Sequence, residues 1–135
     1  MPVEEVRCNM KNESILDTTK KLCLIDPSDL SFDMQICSYI NSVFVVLHQI
    51  GALDNLTPVM GPEATWGEYF TDDVLLMAVI SYVSAKVKMK FDPPAGSSAM
   101  DALMQTIAED EWRINSLVDY KPESTDGEED KDNDY

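Results

Sequence analysis

Residues 71–91 read TDDVLLMAVISYVSAKVKMKF, and this stretch decides the fold. Val74, Leu75, Ala78, Val79, Tyr82, Val83 and Val87 surround a 3.6-residue repeat instead of lining one stripe. A helix that is apolar on most sides needs several neighbours to cover it, so this segment is expected at the centre of a helical bundle. Thr71 is the expected cap, with Asp72 and Asp73 suited to the positive end of the helix. Asp92-Pro93-Pro94 should stop it at Phe91, because proline lacks a donor and restricts the residue before it.

Working outward, the neighbours are helical too. Ile36, Ile40, Val43, Leu47 and Ile50 are spaced by fours and threes, which predicts a helix beginning near residues 29–31 and ending at Gly51. A shorter helix is expected from a Ser14 cap to about Ile25, with Ile15, Leu16, Leu22 and Cys23 on one face and Pro27 beyond its end. Residues 52–64 hold two prolines and a glycine and read as a loop. Thr65 to Phe70 should form a short turn whose aromatics plug the end of the bundle. After the prolines, Ser97 or Ser98 is the expected cap of a last helix. Its stripe is Met100, Leu103, Met104, Ile107, Ile114 and Leu117 or Val118, interrupted at Glu111. Pro122 is the latest possible stop.

The fold class is therefore all-α, a small bundle of about four helices with a disordered acidic C-terminal tail. Residues 1–13 read as a flexible arm, 14–118 as the helical domain and 119–135 as the tail. The tail has eight acids and two lysines and almost nothing apolar to bury.

Charge narrows the functions. The chain of 135 residues has 25 acidic and 10 basic side chains, a formal net charge of −15. Such a surface repels nucleic-acid phosphates and anionic membranes. Val74 to Val87, the longest apolar stretch, is broken by Ser81, Ser84 and Lys86 and is too short to span a bilayer. MPVEEVRCNM contains no apolar signal core, so synthesis and retention in a cytoplasm are expected. Cys8, Cys23 and Cys37 are odd in number and irregular in spacing, which suits reduced, partly buried thiols better than disulfides.

No constellation for catalysis, cofactor binding or metal ligation is present in the sequence, and none of these is expected. His48 is the only histidine and reads as a helix-edge residue. Glu109-Asp110-Glu111 reads as a solvated helix face, since adjacent helical positions diverge by about 100°. Lys86, Lys88 and Lys90 have two readings: complements to a helix C-terminus, or a positive patch that meets an acidic neighbouring copy. Arg113 joins them as a candidate subunit-interface residue. The eight methionines are core filler or adaptable interface contacts.

Two motifs carry a resemblance. Tyr82, Val83, Lys86, Val87, Phe91, Asp92, Pro93 and Pro94, followed by Glu111, Trp112, Arg113, Ile114 and Asn115, resemble a family of phage head-tail connector proteins of siphophages and prophages of Gram-positive bacteria. Asp26-Pro27, Asp29-Leu30, Ile40-Asn41, Val43-Phe44 and Thr65-Trp66 extend the similarity over about residues 14 to 117. Ala95-Gly96-Ser97-Ser98 departs from the family's more usual Thr-Ser. In physical terms, Phe91-Asp92-Pro93-Pro94 reverses the chain, and Trp112 is expected to anchor the last helix in the core. The resemblance implies a structural virion protein and not an enzyme. It implies a ring of about twelve copies in the neck, assembled in the host cytoplasm. Its implied partners are other copies of itself, the portal protein and the next neck, stopper or tail-terminator protein, with genomic DNA passing through the lumen unbound. A different class of function, an acidic DNA mimic or regulatory binding protein, also fits the charge; it requires a dense, structured acidic face.

Overall fold

The structure, a computed structural model, describes residues 9–119. The expected tail therefore lies almost wholly outside the described residues, as do the first eight residues of the arm. Four helices form the body: α1 (Ile15–Leu22), α2 (Asp33–Gln49), α3 (Asp73–Phe91) and α4 (Ser97–Asp119). Two 3-10 turns, Met10–Asn12 and Trp66–Glu68, pack on each other, so the end of the expected arm is structured. Among the described residues there is no strand, only an isolated antiparallel bridge between Ser14 and Thr65.

α3 is central, as its all-round apolar pattern requires. It packs against α1, α2 and α4, and Val79, Tyr82, Val83 and Val87 are fully buried. Each such burial contributes roughly 1.5–3 kcal/mol. α4 runs antiparallel to α3 after the proline turn: Ser81 meets Asp110, and Leu75 shares a surface with Leu117 and Val118. The aromatic plug also forms. Trp66 and Phe70 are buried, and Phe44 lies 5.9 Å from Phe70 in an edge-on pair.

Helix ends depart from expectation for local reasons. The cap of α3 is Asp72, not Thr71: its carboxylate accepts from the N–H groups of Val74 and Leu75, at 2.9 and 3.3 Å. Asp26 and Asp29 accept from the N–H groups of Ser28 and Ser31, two residues on. These local turns hold the chain out of helix, so α2 starts at Asp33. α1 stops at Leu22, three residues early, and Leu22 itself is half exposed. Its termination is a left-handed Leu24 (φ 64°), with the Ile25 N–H on Lys20 O and the Leu24 N–H on Lys21 O. α2 ends with the same bond pattern around Gly51 (φ 88°): Ala52 N–H on Leu47 O and Gly51 N–H on His48 O. Ser97 is the first residue of α4 and not its cap; the Met100 N–H bonds to Gly96 O.

Two polar links tie the elements together. Lys20 is fully buried, and its ammonium lies 2.6 Å from Asp33 and 3.0 Å from Pro27 O, joining α1 to the start of α2. Asn41 holds the 52–64 loop against α2, donating to Val59 O and accepting from the Val59 N–H.

Candidate assembly surface

α4 presents most of its surface outward. Of its 23 residues only Asp110 and Ile114 are buried. A long helix so thinly covered needs polar bonds to hold it on α3. Ser81 Oγ donates to Asp110 at 2.5 Å and Tyr82 Oη donates to Glu111 at 2.9 Å. Burial, and then the bond to the Glu111 carboxylate, push the Tyr82 phenol well above its ordinary range. The acidic triplet is thus not simply a solvated face. Asp110 is 6% exposed because it lies on the same side of the helix as Leu103, Ile114 and Leu117. The signal was available: an acid sits where the apolar stripe is interrupted, and Ser81 interrupts the apolar run 74–83 of α3 that it meets.

Trp112 is not a core anchor. It is 68% exposed, because two residues beyond Asp110 on a helix is a turn of about 200°, away from α3. Beside it stands Arg113, 55% exposed, the one basic residue among those of α4. Its guanidinium reaches only to 4.0 Å from Asp110. Gln105, Ala108 and Glu109 complete this outer face, with Glu109 drawn toward Gln105.

The three lysines do not form one patch. Lys86 and Lys90 are one turn apart and lean on Tyr82 and Tyr39, at 5.7 and 6.0 Å from the ring centroids. Lys88 points to the other side of α3, beside Leu22, Ser84 and Thr106, with Asp92 at 3.9 Å. Phe91 packs edge-on against Phe32 at 5.0 Å, and Asp92 closes α3 through its N–H to Lys88 O. Pro93 is exposed and Pro94 half-buried in the turn. His48 Nδ1 sits 2.8 Å from Leu53 O, at the end of α2.

A second face lies on α2. Met34, Ser38, Asn41 and Val45 occupy the side away from Ile36, Ile40, Val43 and Leu47. Met34, Ser38 and Asn41, together with Val59, Met60 and Pro62 from the loop, border an open cleft of about 440 Å³. Met34 and Met60 are 87% and 78% exposed at its mouth. Cys37 lies at its base, its thiol pushed upward by burial and then by the charges of Asp33 and Glu63. No basic side chain lines the cleft. α3 stands between this face and α4.

Among the described residues no group of three or more His, Cys, Asp or Glu is placed to hold a metal ion, and no helix is long and apolar enough to cross a membrane. A family model described as phage connector protein matches residues 15–121, from the first residue of α1 to just beyond α4. No curated protein and no solved structure matches the chain. The family match takes in both long motifs, the proline turn and the helix that carries Trp112 and Arg113, so the chain belongs to the phage connector protein family.

Proposed function

We propose that the chain is a non-enzymatic structural subunit of the virion neck, one copy in a closed ring of about twelve beneath the portal that extends the DNA channel and docks the next neck or tail protein. The observation that carries this reading is the family match over residues 15–121, nearly the whole helical body. The outward-facing α4 supports it, since a subunit of a ring must offer surface to neighbours on two sides. The net charge of −15 suits a channel through which DNA slides without sticking. The lysines and Arg113 enter differently from one another. Arg113 remains a contact candidate, whereas Lys86 and Lys90 are engaged with tyrosines and Lys88 lies apart from them.

Deleting the gene from its phage tests the reading. Electron microscopy should then show DNA-filled or leaking heads and complete tails that fail to join. Tailed, infectious particles in the deletion would remove the connector role. A pull-down with a nucleic-acid enzyme from the host, lost on adding DNA, would instead support the acidic-mimic reading.

A further inference from the structure

We propose that Trp112 and Arg113 on α4 form a knob that inserts into the α2 cleft of a second copy of this chain, between Met34 and Met60. The inference deepens the connector reading and rests on it for the identity of the occupant.

Three observations point to this pairing. First, the two faces are different and α3 separates them, so a contact between them is heterologous and can repeat around a ring. A face that paired with itself would end at a dimer. Second, the shapes and chemistry match. An exposed tryptophan is a large, rigid anchor, and two exposed methionines flank the cleft that would receive it. Thioethers adapt to an aromatic ring and favour contact with its edge. Third, the charges match against the background of the chain. Copies with a net charge of −15 repel each other, so any contact needs local attraction. α4 places its one basic residue beside the tryptophan. At the cleft Asp33 is already paired with Lys20, but Glu63 stands beside it, close enough for its charge to act on Cys37, and no basic side chain is among the lining residues. Glu109 opposes this attraction, but its carboxylate is held toward Gln105.

A groove between α1 and α4, floored by Ile80 and Ala85 with Met77 at its edge, is another apolar recess. Lys88 at its edge would repel Arg113, which argues against it as the receiver.

Sedimentation of the full chain over a range of concentrations tests the pairing. The wild type should self-associate at the highest concentrations, with a blue shift in Trp112 fluorescence read in a Trp66→Phe background. Trp112→Ala should weaken association at least about thirtyfold, as for an interface anchor. Its melting temperature should not change, because Trp112 is outside the core. Arg113→Glu should weaken association about tenfold, and Glu63→Arg in the same chain should restore it. Trp112→Ala retains a sound cleft and Met60→Glu a sound knob. A mixture of the two should therefore form heterodimers and stop there. Unchanged association in Trp112→Ala, no heterodimer in the mixture, or a wild type that stays monomeric throughout would each overturn the pairing. None of these outcomes alters the head-joining phenotype of the deletion phage, which judges the connector reading separately.

Discussion

Leu24 is held in the left-handed region at φ 64° while its side chain is 88% exposed. A leucine there suffers the Cβ–carbonyl crowding that glycine escapes, a penalty of roughly 1–2 kcal/mol. Gly51 fills the equivalent position at the end of α2 without that strain. Leu24→Gly is therefore expected to stabilise the domain by about 1 kcal/mol in urea unfolding, part of the gain being offset by the freer unfolded chain. No stabilisation would mean that the Leu24 side chain makes contacts the strain supports. Tyr82 gives a pH prediction. Its phenol titrates higher in the folded chain than the ordinary value of 10.0, so the folded state holds this proton more tightly. The stability it contributes is complete below about pH 10 and is lost as pH rises through the folded value. Alkaline unfolding should steepen above pH 10, and Tyr82→Phe should flatten that limb; an unchanged limb would assign it elsewhere. Tyr69, whose phenol burial also raises, accounts for a remaining share.

At the scale of elements, α3 and α4 differ in kind. α3 is fastened by side chains buried around its circumference, whereas α4 has Ile114 as its one fully buried apolar anchor. Ile114→Ala should remove about 2–4 kcal/mol from the attachment of α4. Hydrogen exchange should show α4 amides opening locally while α3 amides still exchange only through global unfolding. Equal loss in both helices would show that they open as one unit. The contrast also marks what the sequence revealed. The centrality of α3 was legible because an apolar pattern on every side has one physical solution. The aromatic plug and the Gly51 stop were legible for similar reasons. The end of α1 and the start of α2 were not, since they depend on a strained Leu24 and on side-chain bonds at Asp26 and Asp29 that no periodicity encodes. The outer face of α4 was misjudged at Trp112 because size was weighed before phase: Asp110 takes the inward position, and Trp112 must then face out.

At the scale of the whole molecule, charge governs approach. Two copies at −15 each repel over a Debye length of about 30 Å at 0.01 M salt and only about 8 Å at 0.15 M. Association should therefore be slower at low salt and quicken as salt rises toward physiological strength, the reverse of what a lysine patch seeking an acidic neighbour would give. Stopped-flow light scattering at several salt concentrations decides between them; a steady decline with salt would restore the lysine account. The bonds from Ser81 to Asp110 and from Tyr82 to Glu111 have a consequence of a different order. Apolar stripes tolerate sliding, but a buried carboxyl with a single hydroxyl partner does not. Shifting α4 by one turn, about 5.4 Å, would part Asp110 from Ser81 and Glu111 from Tyr82 at once; toward Ala78 no hydroxyl replaces Ser81, and toward Ala85 only Ser84 could. The pair of bonds thus acts as a ratchet pawl that fixes the register of α4, and with it the bearing of Trp112. Were copies to close into the proposed ring, angular error would accumulate once per joint, and the tolerance of that assembly would be set inside each subunit, at two hydroxyl groups.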